Sequence, residues 1–259
     1  MKTIKTIFAL LFVLSISAQE ERIWDVTYYD IPADQIGEFV QTHASFMNIS
    51  ANEDSKIIGQ WVYRHWYGSG PTVVVYTSYG SAADAVNNDP WAGFREAWQA
   101  GTDEEKKELE SLAQKYAGYL GNHSDEIRTY NTENFVAKED VDWDTNFVFV
   151  VGNYNTKSGD WNILGQAFMN WQTKPGVENG LQLGGGYSTH FSGTSYDVQV
   201  FQAYPTIVDF AKAISSENVA DAEFAPAFWE EVSGDHNDQI YVHVGHLVDG
   251  KFDLAGPNR

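Results

Sequence analysis

The 259-residue chain contains the same unit twice. Residues 63–85 (YRHWYGSGPTVVVYTSYGSAADA) align without a gap on residues 188–210 (STHFSGTSYDVQVFQAYPTIVDF), 125 positions further on. His65 then meets His190, Trp66 meets Phe191, Val73 and Val75 meet Val198 and Val200, Tyr76 meets Phe201, and Tyr79 meets Tyr204. Upstream, 44–48 (ASFMN) echoes 166–170 (QAFMN); downstream, 121–127 (GNHSDEI) echoes 234–240 (GDHNDQI). Three matching blocks in one order mean that each half repeats one fold pattern, with the halves related by a pseudo-twofold.

Each copy carries one order of elements. In the first, β-branched and aromatic residues predict a strand over 22–30, ended by the turn-prone Ile31-Pro32. Ile36, Phe39, Val40 and Phe46 are near helical spacing, which predicts a helix over 33–48 with Asp34 as N-cap. Strands follow at 57–67 and 72–79 around Gly68-Ser69-Gly70-Pro71. A helical stretch at 81–120 is broken near Asp89-Pro90 and capped by Gly121, and a last strand covers 126–130. The second copy reads strand 146–154, helix 160–171, strands 180–191 and 196–204, helix 206–232 and strand 239–247. The charged stretch 102–119 is longer than its counterpart and reads as a solvated helix. The order β-α-β-β-α-β predicts an α+β chain of two ferredoxin-like units. The expected division is a signal peptide at 1–18, a first repeat at 19–131, a linker at 132–145, a second repeat at 146–248 and a tail at 249–259.

The signal-peptide expectation rests on Lys2 and Lys5, a short apolar run at 6–16, and the small residues Ser15, Ser17 and Ala18. That run is too short to span a bilayer, so the expected product is exported, periplasmic or secreted, with no membrane segment after cleavage. A formal net charge of −20 argues against nucleic acid and anionic lipid as partners. The absence of cysteine excludes disulfides, thiol catalysis and thiolate metal sites, leaving the core to hold the fold. No GxSxG, HExxH, phosphate-loop or EF-hand pattern is present.

Two ferredoxin-like units in one chain resemble the dimeric α/β-barrel superfamily, and within it the chain is most similar to NIPSNAP-like exported tandem proteins. The resemblance covers nearly the whole mature chain and rests on topology and length, so it carries over no catalytic residue. It implies two sheets facing a shared interior. Its members include cofactor-free monooxygenases, polyketide cyclases, aldoxime dehydratases and haem-binding chlorite dismutases, and the fold alone does not choose among them.

Alternation along the strands assigns Val73, Val75, Val198 and Val200 to the helix-covered face. The interior face then carries Thr72, Val74, Tyr76 and Ser78 in one half against Asp197, Gln199, Phe201 and Ala203 in the other. On the preceding strands Trp61, Tyr63, His65 and Tyr67 share a face, opposite Gly186, Ser188, His190 and Ser192. One half is crowded with rings and the other is nearly bare. Trp61, Tyr63, Tyr76, Phe201 and Gln199 are therefore the candidate ligand-binding residues, unless the rings simply fill the interior. Gly184-Gly185-Gly186 reads as a bulge or close packing.

His65 and His190, on equivalent rungs, are the candidate catalytic bases; a satisfied structural histidine is the competing reading. His123 with Asp125, and His236 with Asp238, form repeated pairs two residues apart. They suit a metal site or base work, or a structural role at a helix end. The sequence thus predicts a protein that binds a small apolar or aromatic molecule between its sheets. The alternatives are a cofactor-independent monooxygenase, cyclase or isomerase with a barrel histidine as general base, a haem-binding relative, or a structural module. No cofactor is predicted; haem, a metal ion and oligomerisation are left open.

Overall fold

The computed structural model describes residues 21–52, 54–215 and 223–256; the expected signal peptide lies outside the described residues. The first half runs β1 (Glu21–Tyr29), α1 (Ile36–Ser50), β2 (Ile57–Gly68), β3 (Val73–Tyr79), α2 (Ala82–Asn87), α3 (Ala92–Ala100), α4 (Asp103–Tyr119) and β4 (His123–Ala137). The second runs β5 (Val148–Thr156), α5 (Trp161–Phe168), a π-helical turn (Met169–Thr173), α6 (Lys174–Glu178), β6 (Gly184–Ser192), β7 (Val198–Tyr204), α7 (Ile207–Ser215), α8 (Ala225–Glu231) and β8 (Val232–Val248), and β9 (Lys251–Leu254) follows.

Among the described residues the strands form one antiparallel sheet ordered β2-β3-β1-β4-β6-β7-β5-β8-β9. An additional β2–β8 pairing joins its ends, so eight strands close into a barrel and β9 hangs outside it on β8. Closure depends on two long strands. β4 pairs with β1 and then, along its other edge, with β6; β8 pairs with β5 and with β2. Both seams between the halves are thus main-chain ladders, each interrupted by two register shifts, and among the described residues they close the barrel.

The register confirms the duplication rung by rung. Ile23 faces Tyr79 on β1–β3 just as Val148 faces Tyr204 on β5–β7. Tyr28 faces Ser124, and Asn153 faces Asn237. Across the seams, His65 faces Tyr241 and His190 faces Arg128.

Helices cover the outer face. α1 buries Phe39, Val40, Ala44, Phe46 and Met47 against Val73 and Val75 of β3. In the second half Leu164, Ala167 and Phe168 of α5 pack with Val198 and Val200 of β7, so all four valines lie on the predicted face. α4 begins with a capping box formed by Thr102 and Glu105, which satisfies two orphan amides and concentrates acid at the positive end of the helix.

Several boundaries differ from expectation. Gln35, not Asp34, occupies the N-cap of α1 and makes no side-chain cap bond. Leu120, not Gly121, is the C-cap of α4. The helix expected at 206–232 is two helices, α7 and α8. The expected linker carries the end of β4, and part of the expected tail forms β9. Gly184 to Gly186 lie in β6, where close packing requires glycine. A Cβ on Gly186 would fall 2.2 Å from the Asn134 carbonyl oxygen, and one on Gly185 2.6 Å from that of Phe201.

The interior is apolar at one end and polar towards the other. Trp24, Val26, Tyr63, Val74, Tyr76, Phe149, Val151 and Phe201 form the apolar part. Beyond them Arg128 is fully buried, with Nε donating to Ser188 Oγ at 2.8 Å and Nη2 to the Ser188 carbonyl at 3.2 Å. Its Nη1 reaches the Tyr196 carbonyl at 3.2 Å and Glu126 Oε1 at 3.3 Å, and Tyr28 donates its hydroxyl to the same carboxylate oxygen. A buried charge survives only when paired and hydrogen-bonded in this way. The equivalent rungs of the other half carry Tyr241 and Gln239, which are neutral.

Arg128→Tyr alone leaves the Glu126 carboxylate buried without its cation and is expected to destabilise the fold by about 3–5 kcal/mol. Adding Glu126→Gln, which copies the neutral half, should recover most of that loss in urea denaturation.

Candidate functional site

A cavity of about 660 Å³ opens at the apolar end of the barrel. One wall is aromatic and comes from the first half: Trp24, Trp61, Tyr63, Tyr76 and Tyr130. Trp24 stacks on Tyr130 (4.4 Å between ring centres, planes 10° apart), and Tyr63 stacks on Phe149 (4.2 Å, 15°). Tyr76 stands edge-on to Tyr63. The facing wall is bare main chain at Gly184 and Gly185, with Phe201 and Ala203 beside it. Trp61, from the crowded side of the contrast read in the sequence, lines this volume, whereas Gly186 does not and its neighbours Gly184 and Gly185 do. Such a wall accepts flat apolar molecules, because ring faces and edges pack against them without polar cost.

Four of the five candidate binding residues, Trp61, Tyr63, Tyr76 and Phe201, line this cavity. Gln199 lies behind them. Its Oε1 accepts from the Tyr76 hydroxyl at 2.8 Å, and its Nε2 donates to Asn153 Oδ1 at 2.9 Å. It therefore fixes the tyrosine and does not itself line the cavity. Burial raises the Tyr76 phenol well above its ordinary value, so the hydroxyl stays protonated and donating.

The polar groups of the cavity gather at its mouth: Arg22, Asp142, Asp144 and His246. Val141 to Asp144, expected as part of a linker, form a side of this opening. The segment is pinned by main-chain bonds between Gly256 N and the Asp144 carbonyl (2.8 Å) and between Asn146 N and the Gly256 carbonyl (2.8 Å). His246 Nε2 meets Asp144 Oδ1 at 3.1 Å, its side chain 7 % exposed against 81 % for the aspartate. His246 stacks on His243 (5.4 Å, 22°), which stacks on Phe147 (4.6 Å, 21°). His243 is fully buried, donates through Nδ1 to the Thr145 carbonyl at 2.9 Å, and is pushed down to about 4 by desolvation. It is a neutral spacer that orients the second imidazole.

The two histidines singled out as bases lie elsewhere. His65 sits beside Tyr241 (5.7 Å), and its Nε2 finds no partner among the described residues. His190 is half-buried near the end of β6, with Nε2 bound to the Gly193 carbonyl at 3.1 Å. They occupy equivalent rungs, yet neither lines the cavity. Tyr67 also leaves the face it was expected to share. A register shift between His65 and Tyr67 turns it to the outer surface, where it is 56 % exposed.

The repeated pairs do converge: His123 Nε2 to Asp125 Oδ2 is 3.2 Å, and His236 Nε2 to Asp238 Oδ2 is 3.1 Å. His123 also donates Nδ1 to the carbonyl of Leu120 at the end of α4 (2.6 Å), a helix-terminating contact. Nearby, burial and the Asp125 carboxylate push Asp25 up to about 6, with His123 acting in the opposite sense. Among the described residues no group of three or more His, Asp or Glu side chains is arranged to hold a metal ion. The one imidazole in the cavity wall, His246, meets Asp144 through Nε2, and its buried Nδ1 has no partner among the described residues.

The fold and this cavity together define a fused dimeric α/β barrel, two ferredoxin-like units in one polypeptide. Known structures agree on the fold. An anthrone oxidase-like protein superposes with a TM-score of 0.55 at 10 % identity, covering 93 % of this chain and 98 % of its own. A monooxygenase-like protein from Fusobacterium nucleatum gives 0.55 at 10 % identity over 91 % of this chain and 98 % of its own. One from Lactobacillus acidophilus gives 0.50 at 10 % identity over 92 % and 98 %. At such identity the likeness concerns architecture alone. No family model and no curated protein sequence matches the chain.

Because His243 is neutral in the folded protein and titrates near 6.5 when unfolded, acid favours the unfolded state. Stability should be complete above pH 6.5 and fall as pH drops towards 4, by roughly 2–3 kcal/mol for this residue. His243→Phe should flatten the acid limb of a urea-denaturation series run between pH 7 and pH 4. An unchanged slope would assign the acid sensitivity elsewhere.

Proposed function

We propose that the chain is an exported small-molecule binder that takes a flat, apolar or aromatic ligand into the open end of its barrel. The observation that carries this reading is the 660 Å³ cavity, with rings on one wall and glycine main chain on the other. Its volume falls in the range of small-molecule sites, and the charged groups at its mouth suit a ligand whose one polar end stays near water. Export, to periplasm or medium, and kinship with NIPSNAP-like tandem proteins belong to the same proposal. They rest on the leader-like first 18 residues and on the tandem architecture. The fold likeness to an anthrone oxidase-like protein and to monooxygenase-like proteins is consistent with an aromatic ligand.

Titration with polycyclic aromatic ketones and phenols should quench tryptophan fluorescence saturably and raise the melting temperature with ligand concentration. Trp61→Ala should weaken binding by about tenfold. A flat response across such a panel would sink the binding reading.

A second reading, catalysis without a bound cofactor, is favoured by one contact, His246 on Asp144 at the cavity mouth. A carboxylate holding one imidazole nitrogen fixes the orientation and tautomer of the ring and leaves Nδ1, which has no partner among the described residues, as the atom for base work. In this reading His246, in place of His65 or His190, removes a proton from an enolisable ligand. Aromatic ketones incubated in D2O should then exchange their α-protons, followed by NMR. His246→Phe should slow that exchange by about 100-fold or more with ligand affinity little changed.

A further inference from the structure

The second half carries another opening, on the outer face of the sheet, with the strands between it and the barrel interior. It is a cleft of about 430 Å³ walled by Tyr67, Trp171, Phe210 and Trp229 and reached by Gln202 and the His236 imidazole. Trp229 is 47 % exposed. Trp171 and Trp229 lie 5.9 Å apart at 66°, and His236 stacks on Tyr154 at 5.3 Å and 13°. Asp238 fixes that arrangement, meeting His236 Nε2 at 3.1 Å and the Tyr154 hydroxyl at 3.3 Å. The rings thus form walls set at an angle, held from behind.

The pseudo-twofold identifies what the cleft lacks. In the first half, Gln60 faces Thr77 across the β2–β3 ladder and donates Nε2 to its Oγ1 at 3.0 Å. His43 completes the chain through Nε2 to Gln60 Oε1 at 2.7 Å. On the equivalent rung of the second half the pair is Gly185 and Gln202. The glycine supplies no side chain, and the Gln202 carboxamide, 6 % exposed on the floor of the cleft, has an Nε2 without a partner among the described residues. A buried amide donor left open is costly unless something accepts from it. A ligand carbonyl oxygen is the acceptor that matches an N–H donor between aromatic walls.

We propose that this outer cleft is a second binding site, independent of the barrel cavity, for a flat aromatic molecule bearing a carbonyl oxygen bonded by Gln202. The test uses the full chain labelled with 5-fluorotryptophan and observed by fluorine NMR, with resonances assigned by single Trp→Phe changes. The probes are 2-acetylnaphthalene and 2-ethylnaphthalene, alike in shape and differing in the oxygen. The expected result is a saturable shift of the Trp171 and Trp229 signals, with the acetyl compound bound about fivefold or more tightly. Gln202→Leu should erase that preference. If this variant does not fold, the comparison of the two probes on the native chain decides alone. Response confined to Trp24, Trp61 and Trp143 would overturn the outer site and leave the barrel reading standing. No response at Trp171 and Trp229, or equal affinity of the two probes there, would overturn it as well.

Discussion

Closure of the sheet by the two inter-half ladders is the constraint from which the other features follow. β4 on β6 and β8 on β2 turn two open sheets, each with an exposed edge, into one barrel whose main-chain groups are paired around the ring. Only then does a face of each sheet become an interior. The ladders also set where each interior side chain falls, because alternation is counted from a fixed register. A slip of one residue at either seam would send Arg128 towards the helices and bring their valines inside.

Given that frame, the protein obtains an asymmetric interior from a symmetric backbone. Equivalent rungs hold Trp61 and Gly186, Tyr63 and Ser188, Tyr241 and Arg128, Gln239 and Glu126. Each exchange alters the filling of the barrel while the ladders stay the same. The serine opposite Tyr63 gives the Arg128 guanidinium its room and one of its acceptors. The glycines opposite the ring-bearing wall leave the cavity open. Duplication supplied two copies of a scaffold, and divergence at a few inward positions made one end apolar and the other charged.

The fold was largely legible in the sequence because a fixed repeat and period-two alternation are both local signals. The valine faces and the contrast of Trp61 with Gly186 could be read directly. The Glu126–Arg128 pair was missed although its parity was available. Both residues share a strand face with Tyr130, and a charge on that face had to be buried or the strand had to end. The His246–Asp144 contact was not legible. Its members lie in segments expected to be a strand end and a linker, and a register shift in the β2–β8 ladder breaks the alternation that would have pointed His246 inward. Tyr67 was misplaced for the same reason. Neither shift has a sequence signature, since each arises where two twisted strands of different halves must meet.

The glycine wall has a further consequence for how such a pocket can evolve. Main chain cannot be exchanged as a side chain can, and any methyl added at Gly184 or Gly185 would run into a carbonyl of the neighbouring strand. That surface is therefore invariant in shape for as long as the barrel is closed. Adaptation to a new guest has to come from the ring-bearing side or from the rim, so related barrels should differ in taste mainly at positions such as Trp61 and Trp143.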